Sequence, residues 1–397
     1  MICVIADDLS GAAELAGVAL RYGWTAEVQL EFELRTHADL VCISTDTRSG
    51  TASEAAVRTA HVAEMCRTTN LALIFKKVDS VLRGWVAVEL AALMRGLGKP
   101  RALLVPANPS LGRIIRNGRY LIHGRPLHET DFALDPEHPM RSSDVLSFTS
   151  LQLTGLDQTL FPPIHLLPVG SELPPAGILV GEAASPDDVV AWAECLDELT
   201  LPAGAAEFFA ALLAQRGFGL PSRTFPISQF IPPRRALFVS GSTSDASRSF
   251  LQLCEEHGVP VLRMPSGLFE GEADGTEPLA DWVAVTVQAL RDSRWAVVAI
   301  DRPLHREPGI AQRLGNCLAT AVQRVLEQQT VEGIFVEGGA TAAALVRTLG
   351  WKRLVVQGEL RPGVVLMHAL ETTGPVLVTK PGSYAWPQEI CRLLLSI

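Results

Sequence analysis

The chain has 397 residues, 48% of them apolar, enough for two or three domains with sizeable cores. Its 34 basic and 43 acidic residues leave a net charge of −9, which argues against a nucleic-acid or anionic-membrane surface and confines cationic character to local pockets for small anions. No apolar run approaches bilayer-spanning length and no basic leader precedes Ile2, so a soluble, cytoplasmic protein is expected.

The seven cysteines are scattered, with no Cys-x-x-Cys pair, and read as reduced thiols rather than metal ligands. Ile2 to Ala6 form a buried strand, followed by the turn Asp7-Asp8-Leu9-Ser10-Gly11-Ala12 and a helix carrying Leu15, Ala16, Ala19 and Leu20. Asp8 or Ser10, at its plainest, is a helix cap. Two adjacent carboxylates exceed what a cap needs, leaving one to bind substrate hydroxyls, act as a base or hold a metal. Asp39 to Ser44 give a second strand, ending at Thr45-Asp46-Thr47-Arg48 before a helix from about Ser53 to Arg67.

Leu71 to Phe75 form a third strand, and Lys76-Lys77-Val78-Asp79-Ser80-Val81-Leu82-Arg83-Gly84 follows it before a helix starting near Trp85. Each of its polar residues alone has a bland reading as solvation or a local ion pair. Two lysines, an aspartate, a serine and an arginine together, where a strand ends and a helix begins, suit a small anionic, hydroxylated ligand. Arg101 to Pro106 add a fourth strand, leaving through Ala107-Asn108-Pro109-Ser110-Leu111-Gly112-Arg113. Four βα units predict a doubly wound sheet with its polar turns at one end.

Gly118 to Pro139 read as short extended pieces with a hairpin turn at Gly124, and Thr130 to Pro136 as a polar loop able to cover the crevice. His123, His128 and His138 fit no metal-binding spacing, so turn or surface roles are expected. Residues 142–170 are poorly periodic. Ala176 to Gly181 read as a strand, with helices at Pro186 to Leu196 and Ala205 to Gln215. The run Pro221 to Arg235 is rich in proline and reads as a linker.

The β/α alternation then restarts. Strands Ala236–Ser240 and Gly333–Glu337 run into the small-residue turns Gly241-Ser242-Thr243-Ser244 and Gly338-Gly339-Ala340-Thr341, each followed by a helix. Trp295–Ile300 is a further strand, Gly309–Gln328 a long helix, and Val376–Thr379 enters Lys380-Pro381-Gly382-Ser383. One glycine turn is simply how α/β proteins make corners. Two, plus the Lys-Pro-Gly turn, favour a phosphate site, although neither a P-loop nor a Gly-x-Gly-x-x-Gly fingerprint is present. A polar half and a phosphate-suited half together suggest phosphoryl transfer.

With these motifs in place the chain resembles the four-carbon acid sugar kinase family over almost its whole length. The resemblance rests on Ala6-Asp7-Asp8-Leu9-Ser10-Gly11-Ala12, Lys77-Val78-Asp79-Ser80-Val81-Leu82-Arg83-Gly84 and Pro106-Ala107-Asn108-Pro109 with Gly112-Arg113. Thr130-x-Phe132-Ala133-x-Asp135-Pro136, Glu337-Gly338-Gly339-Ala340-Thr341-Ala342, Glu359-Leu360-x-Pro362-Gly363 and Thr379-Lys380-Pro381-Gly382 complete it. It implies two α/β domains with mainly parallel sheets, whose substrate and nucleotide sites face an interdomain cleft. The expected boundaries are 1–225 for the acid-sugar domain, 226–234 for the linker and 235–397 for the nucleotide domain.

The implied activity is ATP-dependent phosphorylation of the terminal hydroxyl of a threonate, erythronate or 3-oxo-tetronate type acid, with Mg²⁺ bridging the phosphates. Carried over residue by residue, Asp8, or failing it Asp79, accepts the hydroxyl proton. Asp7, Lys77, Ser80 and Arg83 bind substrate, with Arg83 and Lys77 on its carboxylate. Ser240, Ser242, Gly338, Gly339, Ala340, Thr341, Ala342 and Gly382 line the ATP site, and no protein metal ligand is assigned. Val81 and Trp85 depart from the family pattern on the pocket wall. Ser383-Tyr384-Ala385-Trp386 departs at the nucleotide edge, either reshaping it or weakening ATP use. The rivals are a lyase or aldolase using Lys77 as a Schiff-base amine and a non-catalytic sugar-acid sensor. The partners expected are an acid sugar and ATP, with self-association left open.

Overall fold

The computed structural model describes residues 1–33, 36–135, 137–153, 156–157, 161–218, 230–242, 244–271, 276–301 and 309–395. The expected linker residues 226–229, and Thr243 of the first glycine turn, lie outside them. The chain divides into two compact units, Met1–Arg223 and Thr224–Ile397.

In the first unit the strands are β1 (Ile2–Ala6), β2 (Ala26–Gln29), β3 (Leu40–Ser44), β4 (Leu73–Lys77), β5 (Arg101–Val105), β6 (Arg113–Arg116), β7 (Arg119–Ile122), β8 (Arg125–Pro126), β9 (Ile164–Leu167), β10 (Gly177–Gly181) and β11 (Thr200–Gly204). Eight of them pair in the order β2-β3-β1-β4-β11-β5-β10-β9, every pairing parallel. The five residues of β1 and of β3 are all buried, as expected of parallel strands covered on both faces. Strands β6, β7 and β8 form a separate antiparallel sheet.

Register matters most for function. Ala6 at the end of β1 pairs with Ser44 of β3 and Lys77 of β4, and Gly204 at the end of β11 pairs with both Lys77 and Val105. The turns leaving β1, β3, β4 and β5 therefore emerge level, at one edge. Helices α1 (Leu9–Arg21), α2 (Ala52–Arg67) and α3 (Val86–Leu97) follow the first three of those turns. Helix α1 starts at Leu9, earlier than the sequence suggests, because Asp8 rather than Ser10 is the cap: its side chain accepts from the Gly11 N–H at 2.7 Å. Ser10 instead donates to Asp8 at 2.8 Å. Helix α2 opens with a capping box between Thr51 and Glu54.

The second unit holds β12 (Ala236–Ser240), β13 (Val261–Arg263), β14 (Trp295–Ala299), β15 (Gly333–Glu337), β16 (Arg353–Arg361), β17 (Val364–Ala369) and β18 (Val376–Lys380). Their order is β13-β14-β12-β15-β18-β17-β16, parallel as far as β18 and antiparallel from β18 to β17 and from β17 to β16. An aromatic cluster fills its core: Phe238 stacks on Phe335 at 4.5 Å and on Trp295 at 5.7 Å, with Trp386 edge-on at 5.7 Å. Among the described residues no helix is long and apolar enough to cross a membrane, and all seven cysteines are free thiols.

Candidate functional site

The level strand ends of the first unit gather a dense set of charges. Asp7 takes Arg48 in a two-pronged pair, Nε to Oδ2 at 2.7 Å and Nη2 to Oδ1 at 3.0 Å. The third guanidinium nitrogen of Arg48 lies 2.8 Å from Asp8 Oδ2 and 3.8 Å from Asp79 Oδ1. Asp79 in turn binds Arg83 through Nε and Nη2, both at 2.8 Å, and accepts the Arg83 backbone N–H at 3.1 Å. Such forked, charge-assisted pairs are the strongest polar contacts available to side chains.

The titration of these groups follows from those contacts. Burial alone would raise the Asp7 carboxyl, but Arg48 against it holds it below its ordinary value. Burial likewise works against ionised Asp79, and Arg83, with Arg48 behind it, more than reverses this and keeps the carboxyl far below the carboxylate range. Glu89 goes the other way: burial raises it, against the pull of Lys76 at 2.9 Å.

A second layer closes over the arginines from the segment after β8. Asp135 pairs with Arg83 Nη1 at 2.9 Å, and the Phe132 ring lies 5.0 Å from the Arg83 guanidinium and 5.6 Å from that of Arg113. Arg113 donates to Ser80 Oγ, and Tyr120 Oη donates to the Ser80 carbonyl at 2.6 Å. His138 contacts the Arg48 carbonyl through Nε2 at 2.6 Å. Lys77 donates to the Val78 carbonyl at 2.9 Å and lies 3.2 Å from Glu14. Leu82, buried, is held at φ 62, in the left-handed region a branched aliphatic residue avoids. That turn aims the Arg83 side chain back at Asp79.

The sequence-derived substrate residues Asp7, Asp8, Lys77, Asp79, Ser80 and Arg83 are thus all at this edge. Arg48, Arg113, Phe132 and Asp135 join them without having been singled out there as binding residues. Glu14 joins from within α1 and Glu89 from the first turn of α3, and the signal for them was a carboxylate in the otherwise apolar stretches Ala13–Ala16 and Val86–Leu93.

In the second unit three turns meet. The Ser242 hydroxyl approaches the Gly382 carbonyl at 3.3 Å, and Ser244 donates to the same carbonyl at 2.7 Å. The Gly338 N–H donates to the Lys380 carbonyl at 2.9 Å. A Cβ on Gly241 would lie 2.1 Å from Thr341 Oγ1, and one on Gly382 3.0 Å from Ser242 Oγ, so the glycines permit the close approach. Gly338, at φ 92, leads into the helix Gly339–Thr348, whose first N–H groups suit an anion.

Of the sequence-derived ATP residues, Ser242, Gly338, Ala340 and Gly382 reach the surface, while Gly339 and Thr341 are buried in the first helical turn. Ser240 and Ala342 are buried beneath. Under the turns Glu337 accepts from Ser240 Oγ at 2.8 Å and Trp386 Nε1 at 2.5 Å, with Lys380 Nζ 3.5 Å away.

Comparison with known proteins finds family models that match each half of the chain. A sugar-binding N-terminal domain model matches residues 2–158 and a nucleotide-binding C-terminal domain model matches residues 237–384. The chain is 30% identical to a D-threonate kinase of Cupriavidus necator, over 96% of this chain and 94% of that protein. It is 27% identical to a D-threonate kinase of Salmonella typhimurium, over 99% and 97%, and 23% identical to a 3-oxo-tetronate kinase of Actinobacillus succinogenes, over 94% of each. Among solved structures, a Haemophilus influenzae protein superposes with a TM-score of 0.66 at 19% identity, covering 99% of this chain and all of the other (100%). A Salmonella typhimurium protein gives 0.74 at 18% identity, covering 97% and 96%.

Proposed function

The chain belongs to the four-carbon acid sugar kinase family, and from that membership we propose that it transfers the γ-phosphoryl group of ATP to the terminal hydroxyl of a threonate, erythronate or 3-oxo-tetronate type acid, giving the 4-phosphate. The observation that carries this reading is the meeting of Arg48, Arg83 and Arg113 with Asp7, Asp8 and Asp79 at one sheet edge. Guanidinium forks match a carboxylate, and flanking carboxylates accept from hydroxyls, which is the recognition chemistry of a hydroxylated acid.

In the proposed reaction Arg83 and Lys77 take the substrate carboxylate, and Asp7 and Ser80 help to bind the substrate. Asp8, or failing it Asp79, accepts from the reacting hydroxyl. Phosphoryl transfer passes through a loose transition state that asks mainly for positioning and charge neutralisation. Asp8 is an oriented carboxylate of the kind that meets this need, its Oδ1 fixed by the helix cap and its Oδ2 by Ser10 and Arg48. The glycine turns around Ser242, Gly338 and Gly382 receive the ATP phosphates on backbone N–H groups and hydroxyls. Mg²⁺ would enter with the phosphates, which supply most of its oxygens, and the Ser242 and Thr341 hydroxyls are hard donors of the kind it accepts.

Lys77, between the Val78 carbonyl and Glu14, is placed to pair and donate rather than to attack a carbonyl, which weighs against the Schiff-base rival. The test is an ADP-release screen of D- and L-threonate, erythronate and 3-oxo-tetronate acids with Mg-ATP. Saturable turnover on one of them, abolished in a folded Asp8→Asn variant, is expected. No ADP release on any four-carbon acid would overturn the kinase reading, and near-normal turnover in Asp8→Asn would overturn the role given to Asp8.

A further inference from the structure

Beneath the three nucleotide turns lies a polar cluster, and of its members the kinase reading assigned a role only to Ser240, as a lining residue, although Ser240 is buried. Glu337 ends β15, Ser240 ends β12 and Lys380 ends β18. All three are about 1% exposed, and Trp386, which precedes the helix Gln388–Leu395, is 5% exposed. The Glu337 carboxylate accepts from Ser240 on one oxygen and from the Trp386 indole on the other, with Lys380 Nζ 3.5 Å from that second oxygen. Lys380 also donates to the Pro381 carbonyl at 3.4 Å and sits 5.3 Å from the Trp386 ring centre. Burial pulls the Lys380 ammonium below its ordinary value, with Glu337 opposing.

The position of each member in the chain gives the cluster its meaning. Ser240 immediately precedes Gly241, Glu337 immediately precedes Gly338, and Lys380 stands two residues before Gly382. One carboxylate therefore ties together the last residues before all three phosphate-suited turns. Trp386 belongs to the segment in which this chain departs from the family pattern, and its N–H completes the set. A buried charge with one partner removed is strongly penalised, whereas removing both charges together is often tolerated.

We propose that Glu337 is a positioning residue which, through Ser240, Lys380 and Trp386, fixes the relative placement of the three turns that hold ATP. This rests on assigning those turns to the nucleotide. Lys380 acts on the carboxylate, inward, and does not touch phosphate. The segment Ser383 to Trp386 thereby reshapes the nucleotide edge while supporting ATP use.

The experiment measures Mg-ADP binding to the full-length chain by calorimetry, which needs no acid sugar, alongside KM for the sugar acid found in the screen. Glu337→Gln strands the Lys380 ammonium, and Lys380→Met leaves the carboxylate without its counter-charge. Each is expected to weaken Mg-ADP about tenfold or more, the scale of a hydrogen bond to a charged group, with the acid-sugar KM unchanged. The double variant Glu337→Gln/Lys380→Met is expected to recover affinity to within about threefold, because neither charge is then left alone.

Trp386→Phe keeps an aromatic side chain and removes the indole donor, with some packing against Phe238 and Phe335 lost as well, so it serves, with its urea midpoint measured alongside, if either single variant fails to fold; about a threefold to tenfold loss is expected. Wild-type Mg-ADP affinity in the single variants would overturn the proposal. So would a double variant no better than Lys380→Met, since Lys380 would then act on the nucleotide directly, and so would a parallel rise in acid-sugar KM. A wild-type chain that does not bind Mg-ADP would sink it together with the nucleotide assignment. Intact Mg-ADP binding without turnover would overturn the kinase reading alone.

Discussion

Asp79 holds Arg83 by both carboxylate oxygens and by the backbone, and it has Arg48 within 3.8 Å. Its native carboxyl therefore ionises far below the unfolded value of about 3.9. The sign follows from proton counting. Above that unfolded value both states are ionised and the contribution is fully present, and below it the unfolded chain takes up a proton the native state refuses, so stability falls. In urea titrations of the first unit between pH 6 and pH 3, the wild-type midpoint is expected to drop steeply below about pH 4. Asp79→Asn is expected to start about 3 kcal/mol lower at pH 6, because it leaves Arg83 short of its main counter-charge, and to lose less on acidification. An equal acid slope in both proteins would show that Asp79 is not the group responsible. Residues in local motifs were legible at this scale, Asp79 and Arg83 among them, since both stand in one nine-residue stretch. Arg48 was read only as part of a polar strand end. Its role depends on the register that brings Ser44 level with Ala6, which no single segment records.

Elements were legible where burial and periodicity agree. Strands β1, β3 and β5 are largely apolar runs and were read near their observed bounds, whereas β4 starts and ends two residues later than read, at Leu73 and Lys77, so that Lys76 and Lys77 belong to the strand and not to the turn after it. Strand β11, Thr200-Leu201-Pro202-Ala203-Gly204, was not, because a proline in a central strand gives up a ladder donor and normally marks an edge. It nonetheless lies between β4 and β5, with Pro202 opposite Leu103. Gly204 makes room there, since a Cβ would come within 2.2 Å of the Val105 carbonyl oxygen. Strands β16 and β17 form a hairpin whose bulges interrupt alternation, so they were read only as a motif. The turn after β12 gives the prediction at this scale. In Gly241→Ala the new methyl meets the β-branched Thr341 at 2.1 Å. The second unit is expected to lose about 1–3 kcal/mol, as for other overpacked sites, and Mg-ADP affinity is expected to fall with it. Adding Thr341→Ala removes the colliding hydroxyl and should return most of the stability in urea unfolding. A Gly241→Ala chain as stable as wild type would mean the two turns are not held together as tightly as the structure has them.

At the scale of the molecule, each unit carries its own hydrophobic core: Ile5, Ile43, Val86, Leu90 and Leu104 in the first, Phe238, Phe335, Trp295 and Trp386 in the second. The sequence signalled this through the restart of β/α alternation after a proline-rich run. Two cores, with the acid sugar proposed for one unit and the nucleotide for the other, make a thermodynamic prediction for the intact chain. A ligand that binds only the native form of one unit stabilises that unit by about 2.7 kcal/mol at a concentration 100 times its Kd. Calorimetric scans of the full chain are therefore expected to resolve two transitions, with Mg-ADP moving one and the acid sugar moving the other. Fluorescence identifies them, because Trp282, Trp295, Trp351 and Trp386 belong to the second unit and Trp24, Trp85 and Trp192 to the first. In Trp386→Phe the Mg-ADP shift should shrink in proportion to its about threefold to tenfold weaker binding, while the acid-sugar shift stays as in the wild type. If both ligands instead shift a single transition equally, the units unfold as one body, and the separation of sugar binding from nucleotide binding along the chain does not extend to stability.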